Sequence, residues 1–169
     1  ALNTVSDNEL AKINEELLSL SFACSACANM ATTLSGVALH DGAAQVFSIG
    51  NTRVYLLQGG KYLKQLTTDD TTLNYLLAAG QLSPEEAVSF DRKNEITACF
   101  GGGAACLFKM KCSTIESLSS PFMITSDGIH DYISIDLMED ILVDHGITVS
   151  ACEAMLAAAR NAGSMDDIS

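Results

Sequence analysis

TTLSGVALHDGAAQVFSIGNTRVYLLQGGKYLKQL, residues 32–66, is the stretch that decides the fold. From Thr32 onward, apolar and polar residues alternate with a period of two, the signature of strands with one buried face. Four segments emerge: Thr32 to His40, Gln45 to Ile49, Arg53 to Leu57 and Tyr62 to Leu66. Between them lie His40-Asp41-Gly42, Gly50-Asn51-Thr52 and Gly59-Gly60, which supply residues able to take positive φ in tight turns. Connections this short join antiparallel neighbours, whereas a parallel pair needs a crossover of about a dozen residues or more. The stretch therefore predicts an antiparallel meander.

Upstream the period changes. Ser6-Asp7-Asn8-Glu9 has the form of a capping box. Leu10, Ile13, Leu17, Leu20, Cys24 and Cys27 then recur every three or four residues and predict one apolar stripe on a helix. That stripe bears on Cys24-Ser25-Ala26-Cys27. A C-x-x-C pair can be a redox or metal motif, but zinc wants a second pair and none stands at suitable spacing, so the expectation is core packing. All six cysteines are expected to be reduced core residues of a cytoplasmic protein, because a chain this large needs no disulfide staples. No signal or transit segment is visible.

Downstream, Thr68-Asp69-Asp70-Thr71 predicts a helix start, with Leu73, Leu76 and Leu77 following and Gly80 closing it. Ser83-Pro84-Glu85-Glu86 opens another helix, with Ser83 as cap and Pro84 in the first helical position. Glu95 to Phe100 and Ala105 to Cys112 read as strands around Gly101-Gly102-Gly103. Pro121 to Thr125 is an apolar strand running into Ser126-Asp127-Gly128. Asp136 to Val143 and Ser150 to Ala162 read as helices, the second stopped by Gly163. Strands mixed with helices indicate an α+β layered fold with a largely antiparallel sheet.

The 169 residues carry 9 Lys+Arg against 21 Asp+Glu, a formal net charge of −12. Such a surface repels nucleic-acid phosphates and anionic lipid, since both are bound through cationic contacts. Charged and turn residues interrupt every apolar stretch well short of the roughly 20 residues of a membrane span, so no membrane insertion is expected. An acidic chain that handles an anionic substrate needs a metal ion or a local basic pocket. The three arginines, Arg53, Arg92 and Arg160, do not cluster in sequence. The balance favours a divalent-cation site.

Asp127 leaves the end of a strand beside a glycine, and Asp166-Asp167 follow the glycine stop of the last helix. Carboxylates converging from separate elements suit Mg²⁺ or Mn²⁺, hard ions that take oxygen ligands. On spacing alone Asp127-Gly128 reads more simply as a turn, since an Asp-Gly after a strand usually is one. No Gly-Lys-Ser/Thr follows a glycine-rich loop, so there is no P-loop, and Ser126 is not in a nucleophile elbow. No cysteine lies in a basic loop that would activate it for attack on phosphate. His130 is close enough to Asp127 in sequence to assist proton transfer, although a solvated or locally satisfied role is the simpler reading.

In order, the segments resemble the metal-dependent (type 2C, PPM) protein serine/threonine phosphatases, especially the bacterial ones. The resemblance is carried by Ala31-Thr32-Thr33-Leu34, Ile49 to Leu57, Gln65 to Thr71, Gly80 to Ala87, Lys93 to Thr97, Thr125 to Asp131 and Gly163 to Ser169. It implies a β-sandwich of two mainly antiparallel sheets flanked by helices, with two or more Mg²⁺ or Mn²⁺ ions at one edge. It also implies hydrolysis of phosphoserine or phosphothreonine on a protein by metal-activated water, and a serine/threonine kinase as a partner. By position, Asp127 and Asp166 match metal-binding aspartates, Asp69 matches one that helps hold an additional metal, and residues 71–94 match a mobile flap.

Three departures accompany the likeness. The family's early segment, with its phosphate-gripping arginine, bridging Asp-Gly and acid histidine, has no counterpart; Asp41-Gly42 is a hairpin turn. Gly50-Asn51-Thr52-Arg53 replaces Gly-Asp-Ser-Arg, and the last motif reads Asp166-Asp167-Ile168-Ser169. Residues 1–169 are thus expected to be a single, N-terminally incomplete phosphatase domain, weak or inactive alone. The exposed sheet edges of such a domain favour self-association. The alternative is a non-catalytic relative that binds a phosphoprotein or kinase.

Overall fold

A computed structural model describes residues 7–28, 30–103, 106–116 and 120–169. Ser6 of the expected capping box and Ala105 at the head of an expected strand lie outside them. The first half of the deciding stretch folds as its pattern predicts. β1 is Ala31–Thr32, β2 Leu34–His40 and β3 Ala43–Ile49. β2 and β3 pair antiparallel from Leu34↔Ile49 to His40↔Ala43. Asp41 and Gly42 close this hairpin with φ of 46° and 79°, the twist that a two-residue loop requires.

The meander then breaks. β4, Arg53–Gln58, does not pair with β3 but with β5, Tyr62–Gln65, in register from Tyr55↔Gln65 to Gln58↔Tyr62. Gly50-Asn51-Thr52 is a crossover between two sheets, not a hairpin turn. The cause is a set of long-range bonds that no local pattern announces. Gly50 takes φ 98°, donates its N–H to Asp70 Oδ2 at 3.0 Å and accepts from the Asp70 N–H at 2.8 Å. The corner is pinned to the Asp69-Asp70 segment and sends β4 into the second sheet.

The expected strands at 95–100 and 105–112 are displaced. Only Phe100–Gly101 forms a strand, β6, which pairs with β1 in a two-stranded ribbon. Residues 95–99 bond instead to several segments in turn: Thr72 N–H to Glu95 O, Thr97 N–H to Asp70 O, and Cys99 N–H to Leu107 O. Their backbone groups are satisfied without a ladder. The later strand lies at Lys111–Glu116 (β7) and pairs with β3 from Ala43↔Glu116 to Ser48↔Lys111. β8, Phe122–Thr125, pairs with β4 from Arg53↔Thr125 to Leu56↔Phe122. Two three-stranded antiparallel sheets, β2-β3-β7 and β5-β4-β8, accompany the ribbon.

Helices flank them. α1 is Asp7–Ala23, α2 Thr72–Ala78, α3 Pro84–Ala87, α4 Asp127–His130, α5 Ile135–His145 and α6 Val149–Asn161. α2 starts later than expected, because Thr71 is the cap and accepts from the Asn74 N–H. Ser83 and Glu86 form the predicted reciprocal capping box. Ser134 and Thr148 cap α5 and α6. α5 and α6 bury Met138, Leu142, Ala151, Met155 and Ala159 against Tyr55, Leu57 and Leu63 of the second sheet. α1 covers Ile49, Ala98 and Phe100 with Leu10 and Leu17.

The stripe expected on α1 is not the buried face. Ile13 and Leu20 are exposed, while Asn14 is buried and accepts the Gly101 N–H at 2.8 Å. The helix ends at Ala23, so Cys24 and Cys27 fall on a 3₁₀ turn at Ser25–Cys27. Cys24, Cys112 and Cys152 are exposed, Cys27 and Cys106 half-buried, and Cys99 alone is buried. The core reading of the cysteines holds for Cys99 and fails for the C-x-x-C pair. Among the described residues no helix is long and apolar enough to cross a membrane.

Candidate functional site

The crossover at Gly50-Asn51-Thr52 and the strand end at Thr125-Ser126 stand side by side, because Arg53 and Thr125 are partners in the β4–β8 register. Asn51, 7% exposed, donates its Nδ2 to Asp127 Oδ2 at 2.8 Å. An aspartate at position 51 would present an acceptor to an acceptor there; asparagine supplies the proton. Asp127 Oδ1 accepts the Gly128 N–H at 3.0 Å.

Residues 164–169 pack onto the same corner. Ser126 donates its N–H to Ser169 O at 2.9 Å and accepts the Ser169 N–H on Oγ at 3.1 Å. Ser164 Oγ donates to Gly128 O at 3.0 Å. A Cβ on Gly128 would lie 2.7 Å from Asp167 O, so only glycine permits this approach. Asp166 is carried in the docked segment, exposed, with its Oδ1 accepting the Asp167 N–H at 2.9 Å. The structure thus brings the two segments bearing Asp127 and Asp166 to one end of the second sheet.

Asp69 is engaged differently. Its side chain is 8% exposed and grips Arg53 through Nε at 3.0 and 3.1 Å and Nη2 at 2.6 Å. This pair lines a cleft of about 470 Å³ together with Asn51, Asn74, Lys93, Asn94, His130 and Asp131, among others. Sequence reasoning missed Arg53, Asn74 and Lys93 as cleft residues. The Arg53–Thr125 register is the one feature that could have placed Arg53 beside Asp127.

His130 is neither solvated nor fully satisfied. Its Nδ1 bonds Thr125 Oγ1 at 2.8 Å, and its Nε2 is buried with no partner among the described residues. Burial, reinforced by the Arg53 guanidinium, pushes its pKa down to about 4 against weaker opposing pulls from Asp69 and Asp127. The ring is therefore neutral at pH 7. Below its ordinary 6.5 the unfolded chain takes up this proton while the folded chain refuses it until about pH 4. The resulting stability is complete above that window and falls as pH drops through it. Asp131, whose carboxyl burial pushes up, acts in the opposite sense, its contribution being lost as pH rises. His130→Gln should flatten the fall in melting temperature between pH 6.5 and 4; an unaltered slope in calorimetry would show that another group dominates.

The donor chemistry does not amount to a closed metal centre. Asp69 spends its oxygens on Arg53 and Gln65, Asp127 accepts from two neutral donors, and Asp166 is exposed, accepting the Asp167 N–H. Among the described residues no group of three or more His, Cys, Asp or Glu side chains is placed to hold an ion.

No family model matches the chain. It is 35% identical over 139 residues to protein phosphatase PhpP of Streptococcus pneumoniae serotype 2, an alignment covering 82% of this chain and 56% of that protein. It is 26% identical over 163 residues to serine/threonine phosphatase stp of Listeria welshimeri, covering 95% and 63%. Among solved structures, serine/threonine phosphatase Stp1 from Staphylococcus aureus superposes with a TM-score of 0.82 at 22% identity, covering 99% of this chain and 68% of that one. The Mycobacterium tuberculosis phosphatase PstP/Ppp gives 0.80 at 24%, covering 92% and 64%. The chain belongs to the bacterial PPM (type 2C) serine/threonine phosphatase family. It spans between 56% and 63% of the length of the two curated relatives described.

Proposed function

We propose that this chain is part of a protein serine/threonine phosphatase that hydrolyses phosphoserine or phosphothreonine on proteins. In this reading Asp127 and Asp166 are ligands that it contributes to a Mg²⁺ or Mn²⁺ centre. The observation that carries the proposal is the corner itself. Asn51, Asp127 and residues 164–169 are far apart in sequence, yet hydrogen bonds gather them at one sheet end beside the cleft. A solved structure of the PstP catalytic domain, 22% identical with a TM-score of 0.75, is in complex with two manganese ions. Hard oxygen ligands at this corner suit the same kind of ion. Asp69 joins such a centre only by exchanging Arg53 for the cation. Residues 71–94 carry α2 and α3, and Thr71, Leu73, Asn74, Lys93 and Asn94 face the cleft, consistent with a flap beside the substrate.

Two carboxylates can hold a Mg²⁺ or Mn²⁺ ion with water completing its shell, but the bridging Asp-Gly and phosphate-gripping arginine that the family resemblance implies have no counterpart in residues 1–169. The 169-residue chain alone is accordingly expected to release little phosphate from a phosphopeptide with Mn²⁺ present. Robust Mn²⁺-dependent release by it would overturn that expectation. The engaged state of Asp69 supports a second reading, a non-catalytic module that binds a phosphoprotein or kinase through the cleft. Full-length protein that binds a phosphopeptide without turning it over would establish that alternative.

A further inference from the structure

The C-x-x-C pair that the sequence assigned to the core stands in the open, immediately after α1. Cys24 is exposed and Cys27 half-buried. A bond from Cys27 N–H to Cys24 O at 2.9 Å closes the turn between them. A turn so closed holds its end Cα atoms within about 7 Å, the range that a disulfide spans. Backbone hydrogen bonding from Ala26 first, then the Cys27 thiol and backbone, holds the Cys24 pKa below the usual thiol range. The backbone donors favour thiolate at Cys24, while Cys27 stands behind it within reach.

The other cysteines lack this combination. Cys99 is buried, and burial pushes its thiol up to about 12, with Cys106 adding to the effect. Cys152 is exposed on α6, outside any C-x-x-C turn. Metal binding does not explain the pair, because no third ligand is placed near it among the described residues.

We propose that Cys24 and Cys27 form a reversible dithiol site oxidised by low-molecular-weight disulfides, with Cys24 attacking and Cys27 resolving. The Cys24 thiolate attacks one sulfur of R–S–S–R, forming a mixed disulfide and expelling R–S⁻. Cys27 then gives its proton to water and attacks the Cys24 sulfur, expelling the second R–S⁻. The two protein thiols are oxidised to one disulfide, and the reagent is reduced to two thiols. The proposal is independent of the phosphatase reading.

The test is exposure of the whole chain to oxidised glutathione at pH 7, followed by intact mass and peptide mapping. A Cys24–Cys27 disulfide should form first and revert with dithiothreitol. Cys27→Ser should accumulate a stable glutathione adduct on Cys24, and Cys24→Ser should lose the rapid phase. Each unit of pKa lowering raises the attack rate at neutral pH about threefold, since tenfold more thiolate is partly offset by weaker nucleophilicity. Cys24, exposed in the turn and with its pKa lowered, should therefore react faster than Cys152. Equal rates at those two residues, a lasting adduct on Cys24 in the unmodified chain, or first linkage of Cys99 to Cys106 would each overturn the proposal. Should a serine variant misfold, mapping of the unmodified chain still decides the matter.

Discussion

Asp127→Asn should abolish phosphate release by the full-length protein while leaving its fold in place. The substitution keeps the side chain's shape, and the asparagine can still offer an oxygen to Asn51 Nδ2, the donor that now reaches Asp127 at 2.8 Å. The bond from the Gly128 N–H is the one at risk, a loss of about 1 kcal/mol. What disappears is the negative charge at the corner where residues 164–169 dock. Outer partners of metal ligands already cost about 10–100-fold when removed, so loss of a ligand should lower Mn²⁺ affinity and turnover by more than about a hundredfold. Phosphate release from a phosphopeptide, beside circular dichroism to confirm folding, measures both halves. Turnover within a few-fold of the parent protein would mean that Asp127 has no part in the chemistry.

Arg53→Met should cost about 2–3 kcal/mol of unfolding free energy, read by urea denaturation. Asp69 is 8% exposed, and among the described residues Arg53 supplies its opposing charge by direct contact. Removing one partner of a buried pair strands the other, typically at about 3–5 kcal/mol. Arg53 is itself 25% exposed, so water entering behind the methionine lowers that figure. Asp69→Asn in the same chain should recover part of the loss, because the stranded charge is gone. A cost below about 1 kcal/mol, or no recovery in the double variant, would show that the pair is solvated and that Asp69 is available to other partners.

Local signals were legible wherever bonding stays local. Ser83 and Glu86 bond across three residues, and the Asp41-Gly42 hairpin needs only two positive φ angles; both appear in the structure as the sequence predicts. Asn51 illustrates the opposite case. Its partner is 76 residues away, and the Gly50–Asp70 bonds that turn a presumed hairpin into a crossover span 20. Nothing in the period-two pattern carries either. Cys24 was misread because apolar spacing continues past Ala23, whereas the helix stops there and buries Asn14 in place of Ile13. At the site, Asp127 and Asp166 came from the ordered resemblance; their spacing alone reads as turns. Arg53 escaped notice because its importance depends on a register with Thr125.

The central claim is that Asp127 and the segment carrying Asp166 meet to share a divalent cation. Titration of Mn²⁺ into the isotopically labelled chain, followed by paramagnetic broadening of backbone amides, tests it without requiring turnover. The account predicts that Asn51, Gly128 and Asp167 broaden together, and that Asp127→Asn and Asp166→Asn each suppress the effect. Broadening confined to Glu85, Asp140 or other outlying acidic positions, with those three amides sharp, would contradict it.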